Sequence, residues 1–217
     1  MNYCEILEKT AGHVQDLLSG EGSGHDWFHI ERVRNVALHI ARDEGADPFV
    51  VELAALLHDV ADWKFAGGDH DVGPRAARDW LASLGVEQPI IDHVAAIIAG
   101  LSFKGAGVET PMSTIEGRCV QDADRLDALG AIGVARAFAY GGHKGRAMYD
   151  PAVPPQPHAN FEAYKKNTGP TINHFYEKLL LLKDRMNTAA GKRLAAERHA
   201  FLEHFLDQFF AEWEGKR

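Results

Sequence analysis

The chain has 217 residues, of which 46% are hydrophobic and 25% are charged. This composition excludes a disordered chain and is typical of a globular protein with a full apolar core. The formal net charge of −8 gives no electrostatic reason to expect a nucleic-acid polymer as a partner. Because Cys4 and Cys119 are the only cysteines, neither a disulfide framework nor a cysteine-based zinc motif is available.

No run of about 18 or more apolar residues occurs, so we expect no membrane-spanning helix. The first twenty residues, MNYCEILEKTAGHVQDLLSG, lack the charged-then-apolar pattern of a secretory signal. We therefore expect a cytoplasmic protein, which agrees with the sparse use of cysteine.

Apolar residues recur at spacings of three and four along most of the chain, as at Ile30, Val33 and Ala37, and no segment alternates with period two. This pattern predicts an all-α fold. Asp47-Pro48 and Gly169-Pro170 are typical helix starts. The predicted helices span 3–19, 29–44, 48–61, 71–84, 87–100, 113–139, 160–166, 171–188 and 191–213.

Two stretches interrupt the helical pattern. Residues 103–111 are glycine-rich, and residues 141–170 contain five prolines, which predicts a long loop of the kind that forms lids or binding sites. The chain shows neither an internal repeat nor a linker, so we predict a single domain over 1–217. The aromatic segment FLEHFLDQFFAEW is expected to pack on the core, with a homodimer face as the alternative.

Three polar side chains follow the apolar run VVELAALL: His58, Asp59 and Asp62. On a continuous helix His58 and Asp62 are one turn apart, and Asp59 and Asp62 share a face. Unpaired buried charge is costly, so these groups need a partner, and a divalent metal ion is one. The alternative is a helix end with a hydrogen-bonded core histidine and two solvated aspartates.

A second acidic cluster lies in QDADRLDALG, where Asp122, Asp124 and Asp127 occur on an otherwise apolar helix. Asp124 and Asp127 share a face at i, i+3, and pairing with Arg125 accounts for only part of this charge.

A histidine at the start of an earlier helix, His29, completes a mixed donor set. With His58, Asp59 and one of the carboxylates at 122–127 it offers two imidazoles and two carboxylates. That set suits Mn²⁺, Fe²⁺, Co²⁺, Ni²⁺ or Mg²⁺ rather than a thiolate-preferring metal. Coordination positions left open by the protein would admit water and a substrate oxygen.

The strings DWFHIERV, LLHDVAD and DADRLDALG together resemble the H…HD…D pattern of the HD-domain metal-dependent phosphohydrolases. The resemblance implies an all-α core at about 20–140 with C-terminal helices at 171–214. It also implies one divalent ion, with Mn²⁺ favoured. The implied ligands are His29, His58, Asp59 and Asp124, since ADRLDA resembles the ADRL string of the family. Asp127 and His25 would then lie next to the ligands and orient them, without binding the ion themselves.

A further resemblance is to a subgroup of small bacterial HD proteins, some of which are nucleotide pyrophosphohydrolases, and it extends from GHDWFHIERV to FLEHFLDQFFAEWEG. It implies hydrolysis of a nucleoside triphosphate to the monophosphate and pyrophosphate. Asp62 would orient or deprotonate the attacking water. The candidates for contacts with the phosphates are Arg32, Lys64, Lys104 and Arg125.

Several alternatives remain open at this point. The chain could be a nucleoside 5′-monophosphate phosphatase, or a non-catalytic module that binds a nucleotide. Alarmone hydrolysis is less favoured, because Trp63 stands where the alarmone enzymes have a second acidic residue. A single metal is favoured because the Gly-Tyr-Pro element of binuclear relatives is missing and His93 is the sole histidine of its helix.

Another reading of HDWFH is a metal-binding pair at i, i+4, formed by His25 and His29. It requires a helix that is continuous from residue 25 to residue 29. If instead the helix begins near Trp27, His25-Asp26 would shape the mouth of the site or cap that helix.

Overall fold

The computed structural model describes residues 2–19, 26–60, 71–101, 110–156 and 168–217. Within these ranges the regular structure is helical and no strand occurs, which confirms the all-α prediction. The described residues form two compact units, one ending at Ala123 and one beginning at Asp124. The helix predicted at 160–166 lies outside the described residues, and the single domain over 1–217 remains a prediction.

The first unit contains five complete helices. They are α1 (Tyr3–Leu17), α2 (Trp27–Glu44), α3 (Pro48–Leu57), α4 (Val72–Ser83) and α5 (Gln88–Leu101). Helix α6 (Ile115–Asp127) begins in this unit, and its last turn belongs to the second.

Helix α3 is the centre of the first unit. It is apolar on nearly all sides, and its residues from Phe49 to Leu57 are buried, as expected for a helix without a polar face. Helices α1, α2 and α5 pack around it.

The connection from α2 to α3 is short and well defined. Gly45 ends α2 in the left-handed region, with φ of 72°. The side chain of Asp47 accepts a hydrogen bond from the backbone N–H of Phe49 at 2.8 Å, and Pro48 occupies the first turn of α3. The two helices are therefore neighbours in a tight hairpin.

The second unit contains α7 (Gly130–His143), α8 (Thr171–Glu177), two 3₁₀ turns (Leu179–Leu181 and Lys183–Arg185) and α9 (Ala189–Trp213). Its core is aromatic: Phe138 of α7, Phe175 of α8 and Phe205 of α9 have ring centroids 5.6 to 6.1 Å apart. The aromatic C-terminal segment thus packs on α7 and α8.

The prediction of one helix over 113–139 was wrong. The chain leaves the helix after Asp127 and begins α7 at Gly130, whose φ of 68° lies in the left-handed region. Arg198 fixes this break, because its Nη1 donates to the carbonyl of Leu126 at 2.5 Å and its aliphatic stem lies over Gly130. A side chain at position 130 would crowd that stem.

Two other predicted helices were too long. Helix α3 ends at Leu57 rather than 61, because the ring of His58 takes up the carbonyl of Ala55. Helix α8 ends at Glu177 rather than 188, and the 3₁₀ turns that follow keep Leu179 and Leu182 buried at a spacing of three.

No helix in the part of the chain that the structure describes is both long enough and apolar enough to cross a bilayer.

Candidate metal centre

His29 lies in the first turn of α2, in a position set by the helix start. Asp26 has extended backbone (φ −84°, ψ 174°), and its Oδ1 accepts a hydrogen bond from the backbone N–H of His29 at 2.9 Å. The prediction that Asp26 caps a helix beginning near Trp27 is confirmed. An i, i+4 pair on a helix continuous from residue 25 is excluded, because Asp26 is not helical. The imidazole of His29 is completely buried.

His58 and Asp59 directly follow the end of α3. Nδ1 of His58 is 2.8 Å from the carbonyl oxygen of Ala55, which can only accept, so Nδ1 carries the proton. In the neutral ring Nε2 then presents a lone pair, as a metal-binding imidazole requires. The His58 side chain is 3% exposed and that of Asp59 20% exposed, so Asp59 marks the side of the cluster open to solvent.

The structure brings together three of the four side chains predicted as ligands. Nε2 of His29 lies 3.3 Å from Nε2 of His58 and 3.5 Å from Oδ2 of Asp59. The remaining separation, from His58 Nε2 to Asp59 Oδ2, is 3.6 Å. Two imidazole nitrogens and a carboxylate oxygen therefore converge from two helix ends.

The spacing of these three atoms fits a shared cation. The centre of a triangle with these sides lies about 2.0 Å from each corner, which is the length of a typical metal–nitrogen bond. The donor set is also chemically suitable, since neutral imidazole and carboxylate bind Mn²⁺, Fe²⁺, Co²⁺ and Ni²⁺. A divalent ion would also balance the negative charge of the Asp59 carboxylate, which lies beside two buried imidazole rings.

Two aspartates of the acidic segment, Asp124 and Asp127, lie in the last turn of α6, within the second unit. Asp124 is half-buried, whereas Asp127 is buried and accepts from Nη1 of Arg136 at 2.7 Å. Nη1 of Arg125 donates to the carbonyl of Arg185 in the same unit. The predicted roles of these side chains in binding metal or substrate remain predictions.

The remaining predicted site residues are only partly described. Arg32 is half-buried on α2. Four others, His25, Asp62, Lys64 and Lys104, lie outside the described residues, and their roles stay predictions.

Neither His93 nor Cys119 belongs to the cluster formed by His29, His58 and Asp59. Nε2 of His93 lies 3.0 Å from Oγ1 of Thr114 and 3.6 Å from a carboxylate oxygen of Glu116. Burial raises the pKa of the Cys119 thiol to about 12, and the carboxylates of Asp122 and Glu44 add to that rise. A thiol held protonated in this way is a poor metal ligand.

Comparison with known proteins decides the family. The sequence pattern of the HD domain matches residues 27–129. YpgQ of Bacillus subtilis is 43% identical over 210 residues, which cover 96% of this chain and 94% of YpgQ. The chain belongs to the HD-domain family. The matched segment contains all three side chains of the cluster as well as Asp124.

Solved structures of HD proteins share the fold of nearly the whole chain. An HD-superfamily hydrolase from Bacillus thuringiensis is 47% identical, covers 98% of this chain and 99% of its own, and superimposes with a TM-score of 0.77. The crystal structure of Bacillus subtilis YpgQ in complex with ADP covers 95% of this chain and 97% of its own. Its TM-score is 0.72, with 35% identity in the superposition. The chain is thus similar to HD hydrolases throughout its length.

Two charged residues that no sequence pattern singled out, Arg34 and Glu52, join α2 to α3, the helices that position His29 and His58. The signal was present in the sequence, because Glu52 is the one charged residue in PFVVELAALL.

Proposed function

We propose that this HD protein is a divalent-metal-dependent phosphohydrolase that cleaves nucleoside triphosphates to the monophosphate and pyrophosphate. The observation that carries the proposal is the convergence of two imidazole nitrogens and a carboxylate oxygen within 3.6 Å of one another. Membership of the HD family supports metal-dependent hydrolysis. The finer assignment of substrate and product is supported by the resemblance of the chain to nucleotide pyrophosphohydrolases.

His29, His58 and Asp59 would hold the ion, and Asp124 is proposed as a fourth ligand on the strength of its motif. Two nitrogen and two oxygen donors favour Mn²⁺, with Mg²⁺, Co²⁺, Ni²⁺ and Fe²⁺ as alternatives. The bond from His58 to Ala55 would hold the ring in the tautomer that binds a cation.

When bound, the ion supplies positive charge that polarises a phosphoryl group and acidifies water. In the proposed reaction water adds to the α-phosphorus, and the bond from that phosphorus to the bridging oxygen breaks. Pyrophosphate leaves, and Asp62 takes the proton of the water. Arg32, Lys64, Lys104 and Arg125 are the proposed partners of the phosphate charges.

A nucleotide is the proposed substrate class for two reasons. YpgQ, which is similar to this chain over most of its length, has been crystallised with ADP. The net charge of −8 disfavours a nucleic-acid polymer, whereas a small nucleotide needs only local cations.

The test is a release assay with purified protein, a panel of ribo- and deoxynucleoside mono- and triphosphates, and added Mn²⁺, Mg²⁺, Co²⁺ or Ni²⁺. Asp59→Asn removes a proposed ligand, and Asp79→Asn, an exposed aspartate of α4, is the matched control. We expect metal-dependent pyrophosphate release that Asp59→Asn reduces at least 100-fold and Asp79→Asn leaves unchanged. Orthophosphate from monophosphates would reassign the protein as a nucleotidase. If neither the wild type nor Asp59→Asn releases pyrophosphate or orthophosphate with any metal, the result would point to a module that binds nucleotides without cleaving them.

A further inference from the structure

The central helix of the first unit contains one charged residue that its packing does not require. Glu52 is 9% exposed in a helix whose other residues beyond Pro48 are apolar and buried. A carboxylate in such surroundings costs free energy unless it is paired, whereas an apolar side chain would cost nothing.

The partner of Glu52 is Arg34 of α2. Nε of Arg34 donates to Oε1 of Glu52 at 2.7 Å, and Nη2 of the same guanidinium donates to the same oxygen. The side chain of Glu52 is 11% exposed and that of Arg34 33% exposed. The pair is thus a partly buried polar link between two helices that pack against each other.

Stability is a weak explanation for such a link. Replacing a buried ion pair by apolar side chains of similar size is often neutral or stabilising, because the charges regain their hydration when the chain unfolds. What an ion pair adds over apolar packing is direction, since the hydrophobic effect is non-directional. A directional link of this kind would oppose sliding of α2 along α3.

The same two helices position the imidazoles of the metal site. His29 lies five residues before Arg34 on α2, and His58 lies six residues after Glu52, just beyond the end of α3. Sliding one helix along the other by a single residue would move a ring by about 1.5 Å. Metal–ligand distances tolerate only about 0.2 Å.

We infer that Arg34 and Glu52 are positioning residues of the metal site, which set the separation of the His29 and His58 nitrogens by locking α2 against α3. The inference rests on the proposed function, because it assigns the pair a purpose only if these imidazoles share an ion. Neither residue touches the ion or the substrate. They act through the two helices.

The test is the Mn²⁺ affinity of the full-length protein without substrate, measured by calorimetry and by the electron paramagnetic resonance of free Mn²⁺. All measurements are made well below the melting temperature. The double variant Arg34→Met/Glu52→Met removes the pair and keeps its volume. The matched control is Arg78→Met/Asp92→Met, which removes an exposed ion pair between α4 and α5. Arg34→Lys keeps a cation in reach of the carboxylate.

We expect the Met double variant to melt within about 3 °C of the wild type and to bind Mn²⁺ about tenfold more weakly. The control pair should bind like the wild type, and Arg34→Lys should regain most of the affinity. If the Met double variant does not fold, Arg34→Gln/Glu52→Gln replaces it, with the same expected loss of affinity.

Wild-type Mn²⁺ affinity in the folded double variant would overturn the inference, as would an equal loss in the control pair. Failure of the metal site that the proposed function requires looks different. In that case the wild type and Asp59→Asn would bind Mn²⁺ alike, which is visible before any ion-pair variant is measured.

Discussion

The helix cap at Asp26 makes a quantitative prediction, because its carboxylate bonds to the backbone of a proposed ligand. Oδ1 of Asp26 accepts from the N–H of His29 at 2.9 Å. Asp26→Ala removes that acceptor, at a cost of about 1 kcal/mol for a capping side chain. It also removes a negative charge from the N-terminus of α2, worth about 0.5 kcal/mol.

The two terms together predict that Asp26→Ala is about 1.5 kcal/mol less stable than the wild type. For a chain of this size that corresponds to a fall in melting temperature of about 3 to 6 °C. Asp26→Asn and Asp26→Ser keep a capping oxygen without the charge, so each should regain at least half of the loss.

Thermal unfolding followed by circular dichroism, with metal removed by chelation, measures these differences. If Asp26→Ala has the same melting temperature as the wild type, the cap contributes nothing to stability and the reasoning fails. If Asn and Ser melt as low as Ala, the charge and not the hydrogen bond is responsible.

Three further predictions follow from other parts of the molecule. Mn²⁺ at 100 times its dissociation constant should stabilise the wild type by about 2.7 kcal/mol, which raises its melting temperature. Asp59→Asn should abolish this rise; an equal rise in both proteins would place the ion elsewhere. Cys119 is fully buried with its thiol pKa at about 12, so it should react with a disulfide reagent at pH 8 only after unfolding, whereas the exposed Cys4 should react in the native protein. Rapid labelling of two thiols per native chain would contradict the burial of Cys119. Gly133→Ala should destabilise the protein by about 2 kcal/mol or more, because the new methyl group would meet the carbonyl oxygen of Ala128. Gly142→Ala should stabilise the protein by about 0.8 kcal/mol, because the space around Gly142 is open. Similar urea midpoints for the two variants would refute this contrast.

Much of the fold was predictable because helical periodicity is a local signal. The all-α class, the start of α3 at Asp47-Pro48 and the cap at Asp26 all depend on residues close together in the chain. The order of His29, His58 and Asp59 likewise indicated a metal site before any distance was known.

The wrong helix ends depend on contacts between residues that are distant in the sequence or on side chains that compete with the helix. Arg198 meets the end of α6 from 72 residues away, so no local pattern could place the break before Gly130. The ring of His58 ends α3 by bonding to Ala55, which periodicity does not report. The link between Arg34 and Glu52 was also hidden, because pairing across helices depends on their register.

The most direct test of the central claim is to hydrolyse a nucleoside triphosphate in ¹⁸O-labelled water with Mn²⁺ and to analyse the products by ³¹P nuclear magnetic resonance. The account predicts a monophosphate carrying the label on its phosphorus, together with unlabelled pyrophosphate. Labelled orthophosphate, or labelled pyrophosphate, would show attack at a different phosphorus and would contradict it.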